Sequence, residues 1–261
     1  MPCTQEVPLS RPVKAVTFDL WDTLFIDDSD EPKRAAQGLL PKARARPQAV
    51  YEALNRHHEL AFDAVALAYK TADAAFNTVW HDLHYTWTVP QRLAIILKGL
   101  GRTLCQEDFD AVARTLEDME VVVPPSPVPG AHEALEKLHE KYPLAVVSDT
   151  IVSPGRALRQ LLENHDLLRH FDACIFSDEI GCSKPDPRVF QHAADALRVP
   201  LHDVVHVGDR DHNDVKGPQK LGARAVLFTA ARDNDKNNTS ADAVCDNYRD
   251  LPAAVAALDS P

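Results

Sequence analysis

The stretch "VKAVTFDLWDTLFID", residues 13–27, decides the fold. Its first six residues, 13–18, form a short β-rich run that predicts a buried strand. Asp19 follows at once, and Trp21 and Asp22 come just after it. A carboxylate placed directly after a buried strand lies at the edge of the sheet, where open α/β proteins bind their ligands. Asp19 is therefore the first candidate functional residue.

Four further β-rich runs predict strands, and helical segments separate them. The strands are expected at 144–148, 173–177, 204–208 and 224–229, and the helices at 131–141, 155–164, 187–198 and 214–221. Strands that alternate with helices indicate a parallel sheet covered on both faces. The predicted fold class is α/β, with a doubly wound parallel sheet of the Rossmann-like kind.

Residues 28–122 interrupt this alternation and are predicted to be helical throughout. The segment "VVVPPSPVPG" at 121–130 closes them, and its prolines favour a semi-rigid linker. We therefore expect a helical domain at 28–122, inserted after the first strand. The sheet domain is then discontinuous and formed by 1–27 and 123–261.

Composition restricts the class of protein. The chain has 261 residues, of which 45% are hydrophobic, and this allows one large domain or two modest ones. No apolar run is long enough to span a membrane, and the start "MPCTQEVPLSRP" lacks the basic-then-apolar order of a signal peptide. The five cysteines form no Cys-x-x-Cys pair, so a reduced, cytoplasmic protein fits best. A formal charge of -11 argues against a nucleic-acid partner and leaves a small phosphorylated substrate open.

Polar residues also follow the later strands. "VVSDT" ends in Ser148, Asp149 and Thr150, "GCSKPDPRVF" carries Lys184, and "HVGDRDHNDV" holds Asp209, Asp211 and Asp214. Taken singly, such residues are most often turn residues, helix caps or solvated charges. Because the carboxyl ends of parallel strands meet at one edge of the sheet, their convergence with Asp19 indicates a functional site.

Two other interpretations of these motifs fail. In a calcium-binding loop, Asp209 and Asp211 would hold positions one and three, but Asp214 stands at position six, where Gly is needed, and Lys220 at position twelve, where Glu is needed. The chain has no Gly-x-Gly-x-x-Gly and no phosphate-binding loop that ends in Gly-Lys-Ser/Thr, so nucleotide-cofactor sites fail too.

The segments "FDLWDTL", "VVSDT", "SKPDPRVF" and "HVGDRDHNDV", in this order and with a helical insertion after the first, resemble the four motifs of the haloacid dehalogenase-like hydrolases. The resemblance covers nearly the whole chain outside 28–122. It implies a doubly wound core, a mobile helical cap that closes over the site, an aspartate nucleophile at Asp19 and, in most members, a magnesium ion.

Elementary chemistry agrees with these roles. Asp19 would form a covalent intermediate, Ser148 would hydrogen-bond the transferring group, and Lys184 would offset its negative charge. Asp19 and Asp209 repel each other unless a cation lies between them, and Mg²⁺ prefers such oxygen ligands. The resemblance adds the main-chain carbonyl of Trp21 as a metal ligand and Asp214 as a residue that orients metal-bound water. We assign Asp149 and Thr150 to substrate binding.

Trp21 departs from the family pattern. The phosphatases of the family carry a carboxylate here that acts as general acid and then as general base, and an indole transfers no proton. General acid–base catalysis contributes about 10²–10⁴-fold, so its loss slows phosphoryl transfer without abolishing it. Asp22 and His212 are the candidates to replace the missing acid. We expect a magnesium-dependent phosphatase that acts on a small phosphorylated metabolite.

Two alternatives stay open. The 2-haloacid dehalogenases of the family have an aromatic residue at the position of Trp21 and use no metal, but they lack the metal-binding acids kept here as Asp209 and Asp214. They also have Asn in place of Asp149 and Tyr in place of Phe190. A catalytically weak binding protein on the same fold is the third possibility. Trp80, Tyr85 and Trp87 of the insertion could line the pocket or pack in the helical core.

Overall fold

A computed structural model describes residues 12–56 and 59–259. The outer ends of the predicted sheet domain, 1–11 and 260–261, lie outside the described residues, as do residues 57–58 of the predicted helical domain. We call residues 28–122 the insert and the remaining described residues the α/β core.

Six parallel strands form one sheet in the α/β core, in the order β3-β2-β1-β4-β5-β6. They are β1 Ala15–Phe18, β2 Leu144–Ser148, β3 Ala173–Phe176, β4 Val204–Gly208, β5 Arg224–Phe228 and β6 Ala243–Cys245. Every residue of β1, β2 and β4 is buried, as expected of central strands that are covered on both faces. The α/β fold with a doubly wound parallel sheet is confirmed, and β6 is a strand that we did not predict.

The insert is helical, as predicted. Its helices are α1 Glu31–Ala36, α2 Lys42–Asn55, α3 Phe62–Leu83, α4 Val89–Leu100, α5 Gln106–Glu117 and α6 Met119–Val122. They bury a separate apolar cluster, to which Leu54, Tyr69, Leu93 and Leu116 each contribute from a different helix. The division of the chain into two domains at residues 28 and 122 stays a prediction.

Six helices and several short turns complete the α/β core. The helices are α7 Ala131–His139, α8 Gly155–Asn164, α9 Ser177–Ile180, α10 Pro187–Leu197, α11 Lys216–Gln219 and α12 Leu251–Ala257. The helix predicted at 214–221 is instead a turn of π-helix, Asp211–Val215, followed by α11. Among the described residues, no helix combines the length and the apolar character needed to cross a membrane.

Apolar layers cover both faces of the sheet. On one face Val146 and Val205 pack with Leu135 of α7 and Leu161 of α8. On the other face Ala145 and Val204 belong to a cluster that includes Ala194 and Leu197 of α10. This arrangement leaves the carboxyl ends of the strands as the open edge at which a site can form.

The two connections between the α/β core and the insert run side by side. The Ile26 amide donates to the Ser126 carbonyl at 2.9 Å, and the Val128 amide donates to the Leu24 carbonyl at 2.9 Å. These antiparallel contacts pin the entry and the exit of the insert together. The first connection begins only a few residues after Asp19, so the insert is attached beside the candidate site.

Candidate active site

Asp19 and Asp209 follow neighbouring strands of the sheet. Asp19 comes directly after β1 and Asp209 directly after β4, and the Asp19 amide donates to the Val207 carbonyl at 2.9 Å. Carboxylate oxygens of Asp19, Asp209 and Asp214 all lie within 4.8 Å of one another, and all three residues are buried. The structure therefore brings together the three acids that the sequence assigned to a metal site, while Asp211 of the same loop lies outside this cluster.

Asp214 reaches this cluster because of the turn that carries it. The turn of π-helix after β4 directs the Asp214 carboxylate back toward the strand, where Oδ2 accepts from the Arg210 amide at 3.0 Å. A Cβ atom at Gly208 would overlap this carboxyl group, so glycine is required at that position. On the strand itself, Nε2 of the fully buried His206 lies 3.3 Å from Asp214 Oδ1.

Lys184 is the buried cation of the site. Its Nζ donates to Asp19 Oδ1 at 2.6 Å and to Asp214 Oδ1 at 2.7 Å. Burial alone lowers the pKa of Lys184, but the neighbouring carboxylates of Asp19 and Asp214 outweigh it and hold that pKa above its ordinary value. Lys184 is therefore positively charged and can stabilise negative charge that develops on a group bound to Asp19.

Asp209 is an acid whose charged form is disfavoured by its surroundings. Burial, together with Asp214 and Asp19, raises its pKa to about 8. Within the described residues neither of its carboxylate oxygens has a hydrogen-bond partner, and Nη1 of Arg232 lies 3.5 Å from Oδ2. Buried polar atoms in proteins are almost always hydrogen-bonded or bound to a metal ion. Two carboxylate oxygens without a hydrogen bond, next to two further carboxylates, fit a hard divalent cation.

Ser148, Asp149 and Thr150, at the end of β2, each have different hydrogen-bond partners. Ser148 Oγ donates to the Asp149 carbonyl at 3.3 Å. Asp149 Oδ1 accepts from the Lys184 amide at 2.9 Å, Oδ2 has no partner among the described residues, and burial raises the Asp149 pKa to about 7. Thr150 turns to the α/β core, since its hydroxyl accepts from the Asp178 amide at 2.9 Å and lies 3.0 Å from Ser177 Oγ. The roles assigned to these three residues stay predictions.

A cavity of about 60 Å³ lies over these groups. Trp80 of α3 lines it from the insert, and the indole Nε1 of Trp80 is buried without a partner among the described residues. Neither Ser148 nor Thr150 is part of the lining. The lining residues are Asp19, Trp21, Trp80, Asp149, Ile151, Lys184, Arg210, Asn213 and Asp214. The cavity is therefore bounded by both the α/β core and the insert.

Trp21 forms part of the cavity wall. Its half-buried side chain packs against the main apolar cluster of the α/β core. The two candidates for a replacement acid lie elsewhere, because Asp22 Oδ1 accepts from the Asp27 amide at 3.1 Å and His212 is exposed outside the lining. The position of Trp21 fits a wall of the pocket, while its carbonyl as a metal ligand stays a prediction.

The insert contacts the site at the loop that follows Thr150. Arg92 of α4 is buried, donates to the Ile151 carbonyl and lies with its guanidinium carbon 4.4 Å from the centre of the Phe76 ring. A capping box places α4, since Thr88 Oγ accepts from the Gln91 amide and the Gln91 side chain accepts from the Thr88 amide. This contact couples the insert to the cavity wall.

Several lining residues were not predicted. Arg210 and Asn213 stand inside the quoted Asp-rich loop, and their spacing relative to Asp209 could have identified them. Ile151 has no such signal, because its place depends on the contact with Arg92. Of the aromatic residues in the insert, Trp80 lines the cavity, Tyr85 is exposed, and the Trp87 ring lies 6.3 Å from that of Phe76.

Comparison with known proteins identifies relatives of the whole chain. The model of the haloacid dehalogenase-like hydrolases matches residues 13–222. A glyceraldehyde 3-phosphate phosphatase of Methanopyrus kandleri is 26% identical over 242 residues, which are 92% of this chain and 94% of that protein.

Other relatives match over a shorter segment. A phosphoserine phosphatase of Thermus thermophilus is 40% identical over 68 residues, 26% of this chain and 27% of its own length. A glyceraldehyde 3-phosphate phosphatase of Pyrococcus abyssi is 34% identical over 104 residues, 39% of this chain and 42% of its own length. The chain thus spans less than half the length of these relatives.

Two solved structures share the fold. A HAD phosphatase from Thermococcus onnurineus superposes with a TM-score of 0.60 at 22% identity and covers 92% of this chain and 96% of its own. A 2-haloacid dehalogenase from Pseudomonas syringae has a TM-score of 0.60 at 20% identity and covers 94% of this chain and 99% of its own. Both phosphatase and dehalogenase activities therefore occur on this fold.

Proposed function

Because the chain belongs to the haloacid dehalogenase-like hydrolases, we propose that it is a magnesium-dependent phosphatase that uses Asp19 to hydrolyse a small phosphorylated metabolite. The observation that carries this proposal is the buried cluster of Asp19, Asp209 and Asp214 with Lys184 among them. The relatives named as glyceraldehyde 3-phosphate and phosphoserine phosphatases support the same reaction class.

The donor set fits magnesium. Asp19 and Asp209 would each supply a carboxylate oxygen, and the unpaired oxygens of Asp209 are the clearest sign of such a ligand. The Trp21 carbonyl would add a third protein oxygen, and Asp214 would orient water from behind the ligands. When bound, the ion polarises a phosphoryl oxygen and offsets the charge of the clustered carboxylates.

The residues of the chain then perform two displacements. An oxygen of Asp19 attacks the phosphorus atom, the bond from phosphorus to the leaving-group oxygen breaks, and an aspartyl phosphate forms on Asp19. The leaving oxygen takes its proton from water, since Trp21 has none to give. Water next attacks phosphorus, which releases inorganic phosphate and restores the Asp19 carboxylate. Lys184 stabilises the charge of the phosphoryl group in both steps.

The insert would act as a cap over this chemistry. Trp80 and the Arg92 contact to Ile151 support a closed arrangement that keeps bulk water out of the cavity. Ser148, Asp149 and Thr150 are the proposed contacts to the transferring group and the substrate. The cytoplasm is the compartment we propose, from the cysteine pattern alone.

A 2-haloacid dehalogenase is the second candidate, and Trp21 in the cavity wall is the observation that favours it. That reaction uses no metal and needs no acid for its leaving group. The buried Asp209 argues against it, because its carboxylate has no hydrogen bond among the described residues and lies beside two other carboxylates, an arrangement that a metal-independent reaction does not require. A binding protein without activity would not require the buried carboxylates of Asp19, Asp209 and Asp214 either.

One pair of assays separates the three functions. The protein should release p-nitrophenol from p-nitrophenyl phosphate with Mg²⁺, and excess EDTA should stop the reaction. Halide release from 2-chloropropionate without metal, in place of phosphatase activity, would identify a dehalogenase. If the folded protein had neither activity, the result would favour the third alternative, a binding protein on the same fold.

A further inference from the structure

A second cavity adjoins the first. It has a volume of about 220 Å³, and Trp21, Ile151 and Arg210 line both cavities. Its other walls come from the insert and the loop after β2 and include Lys42, Arg46 and Glu120. We call it the leaving-group cavity for the reason that follows.

The two cavities differ in volume and in the residues that line them. The first cavity, at about 60 Å³, is much smaller than the second, at about 220 Å³. Asp19 and Lys184 line the smaller cavity and not the larger one, so the smaller cavity is the space for the transferring phosphoryl group. The rest of a substrate must lie beyond Trp21, where the larger cavity begins.

Some charged groups of the leaving-group cavity already have partners within the protein, whereas others could still bind a ligand. Lys42 Nζ donates to Asp30 Oδ1 at 2.8 Å and to Glu120 Oε1 at 3.0 Å, and the other Glu120 oxygen accepts from Ser153. Asp30 Oδ2 has no hydrogen-bond partner among the described residues, but Asp30 does not line the cavity. Asp28 lies at the rim with an exposed side chain, 3.1 Å from Lys42. Asp27, the remaining acid of the lining, accepts from the Asp28 amide at 2.9 Å. Lys42, Glu120 and Asp27 therefore already have partners within the protein.

Two guanidinium groups are left with donors to spare. Arg46 has a contact of 3.7 Å with Glu120, and its buried Nε has no hydrogen-bond partner among the described residues. Arg210 lies 3.7 Å from Asp209, too far for a hydrogen bond. The planar guanidinium group binds carboxylates with two parallel hydrogen bonds, and these charge-assisted bonds are stronger than neutral ones.

We propose that the leaving-group cavity binds the alcohol portion of the substrate and that Arg46 and Arg210 bind a carboxylate on it. The substrate class is then a phosphate monoester of a small hydroxy acid or hydroxy amino acid. This inference rests on the proposed phosphatase function. Within it, Trp21 is the wall between the phosphoryl group and the carboxylated leaving group.

Matched substrate pairs test this directly. 3-Phosphoglycerate is compared with glycerol 3-phosphate, and O-phosphoserine with phosphoethanolamine, by kcat/KM with Mg²⁺. The carboxylated member of each pair should be preferred by at least about tenfold, because a charge-assisted hydrogen bond contributes that much or more. Equal turnover within each pair would overturn the inference and leave the phosphatase function intact. Failure to hydrolyse any phosphate ester would overturn both.

Arg46→Gln then tests the residue assignment. The preference for the carboxylated member should fall severalfold in this variant, because only Arg210 remains to bind the carboxylate. Arg44→Gln, on the same helix but exposed, is the matched control and should keep the preference. Thermal melting confirms that both variants are folded. An unchanged preference in folded Arg46→Gln would overturn the role of Arg46, and the wild-type comparison stands even if this variant does not fold.

Discussion

At the scale of the residue, Trp21 has the clearest chemical consequence. It lines the site cavity two positions after the proposed nucleophile, and neither Asp22 nor His212 lines that cavity. Phosphoryl transfer depends mainly on positioning and on charge stabilisation, which Lys184 still supplies. The reaction can therefore proceed without a general acid, at a rate that depends on how well the leaving group departs unassisted.

We expect the wild-type rate to fall steeply as the pKa of the leaving group rises. Aryl phosphates with acidic phenols should exceed simple alkyl phosphates by up to about 10²–10⁴-fold, the usual contribution of proton donation. Trp21→Asp should narrow this gap, whereas Trp21→Phe, which keeps an aromatic wall, should not. A rate independent of the leaving group, with chemistry shown to limit it, would mean that another residue donates the proton.

Asp149 provides a prediction about stability. Burial raises its pKa to about 7 in the folded protein, so the folded state binds this proton more tightly than the unfolded chain does. Its contribution favours folding at low pH and is lost as the pH rises through about 7. Asp149→Asn should therefore gain stability relative to wild type between pH 5 and pH 8, by about 1–3 kcal/mol.

Urea unfolding without metal at the two pH values measures this difference. Asn keeps the acceptor for the Lys184 amide, and any cost of its buried amide is the same at both pH values. Asp63→Asn at an exposed position of α3 should show no such pH-dependent gain. If the two pH values gave equal differences for Asp149→Asn, the Asp149 pKa would be ordinary.

At the scale of the element, the base of the insert is held by a buried ion cluster. Lys42, the first residue of α2, contacts Asp30 next to α1 and Glu120 in α6, and the side chains of all three residues are buried. Removing one partner from a buried ion cluster leaves uncompensated charge, which typically costs about 3–5 kcal/mol.

Lys42→Met should therefore destabilise the protein by about that amount in urea unfolding. Lys70→Met replaces an exposed lysine of α3 and should change stability by no more than about 0.5 kcal/mol. A loss below about 1 kcal/mol for Lys42→Met would show that the ion pairs of Lys42 with Asp30 and Glu120 contribute no more than pairs on the surface do.

The elements also show what local sequence pattern can predict. β2 and β4 begin and end where expected, because runs of buried apolar residues mark them. β6 was missed since it has three residues, of which only Cys245 is buried. The helix expected at 214–221 is shorter, Lys216–Gln219, because a turn of π-helix that begins at Asp211 and carries Asp214 precedes it.

At the scale of the whole molecule, the sheet brings distant residues together. Asp19, Lys184 and Asp209 could be placed at one edge from the sequence, because parallel strands end on the same side. Trp80, Ile151 and Arg46 could not, because their places depend on how the insert packs on the α/β core. Contacts such as Arg92 to Ile151 join residues far apart in the chain and leave no local pattern.

Magnesium should stabilise the whole molecule. A ligand that binds only the folded state adds about 2.7 kcal/mol at a hundredfold excess over its dissociation constant. For a chain of this size we expect a rise in melting temperature on the order of 5 °C or more. Asp209→Ala should abolish the rise.

Asp211→Asn is the matched control. The Asp211 carboxylate lies two positions along the same loop but accepts from the Thr239 hydroxyl at 2.6 Å, outside the cluster. This variant should keep the magnesium effect. An equal rise in Asp209→Ala would place the metal at another site.

The most direct test of the account is the fate of Asp19 during turnover. Acid quenching of the enzyme with Mg²⁺ and a phosphate ester, followed by mass spectrometry of the peptide that contains Asp19, should reveal a phosphoryl group on that residue. A single turnover in ¹⁸O-labelled water should place the label in inorganic phosphate and none in Asp19, because water attacks phosphorus. Label in the Asp19 carboxylate would mean that water attacks the carboxyl carbon of an ester, as in a dehalogenase, and would contradict the account.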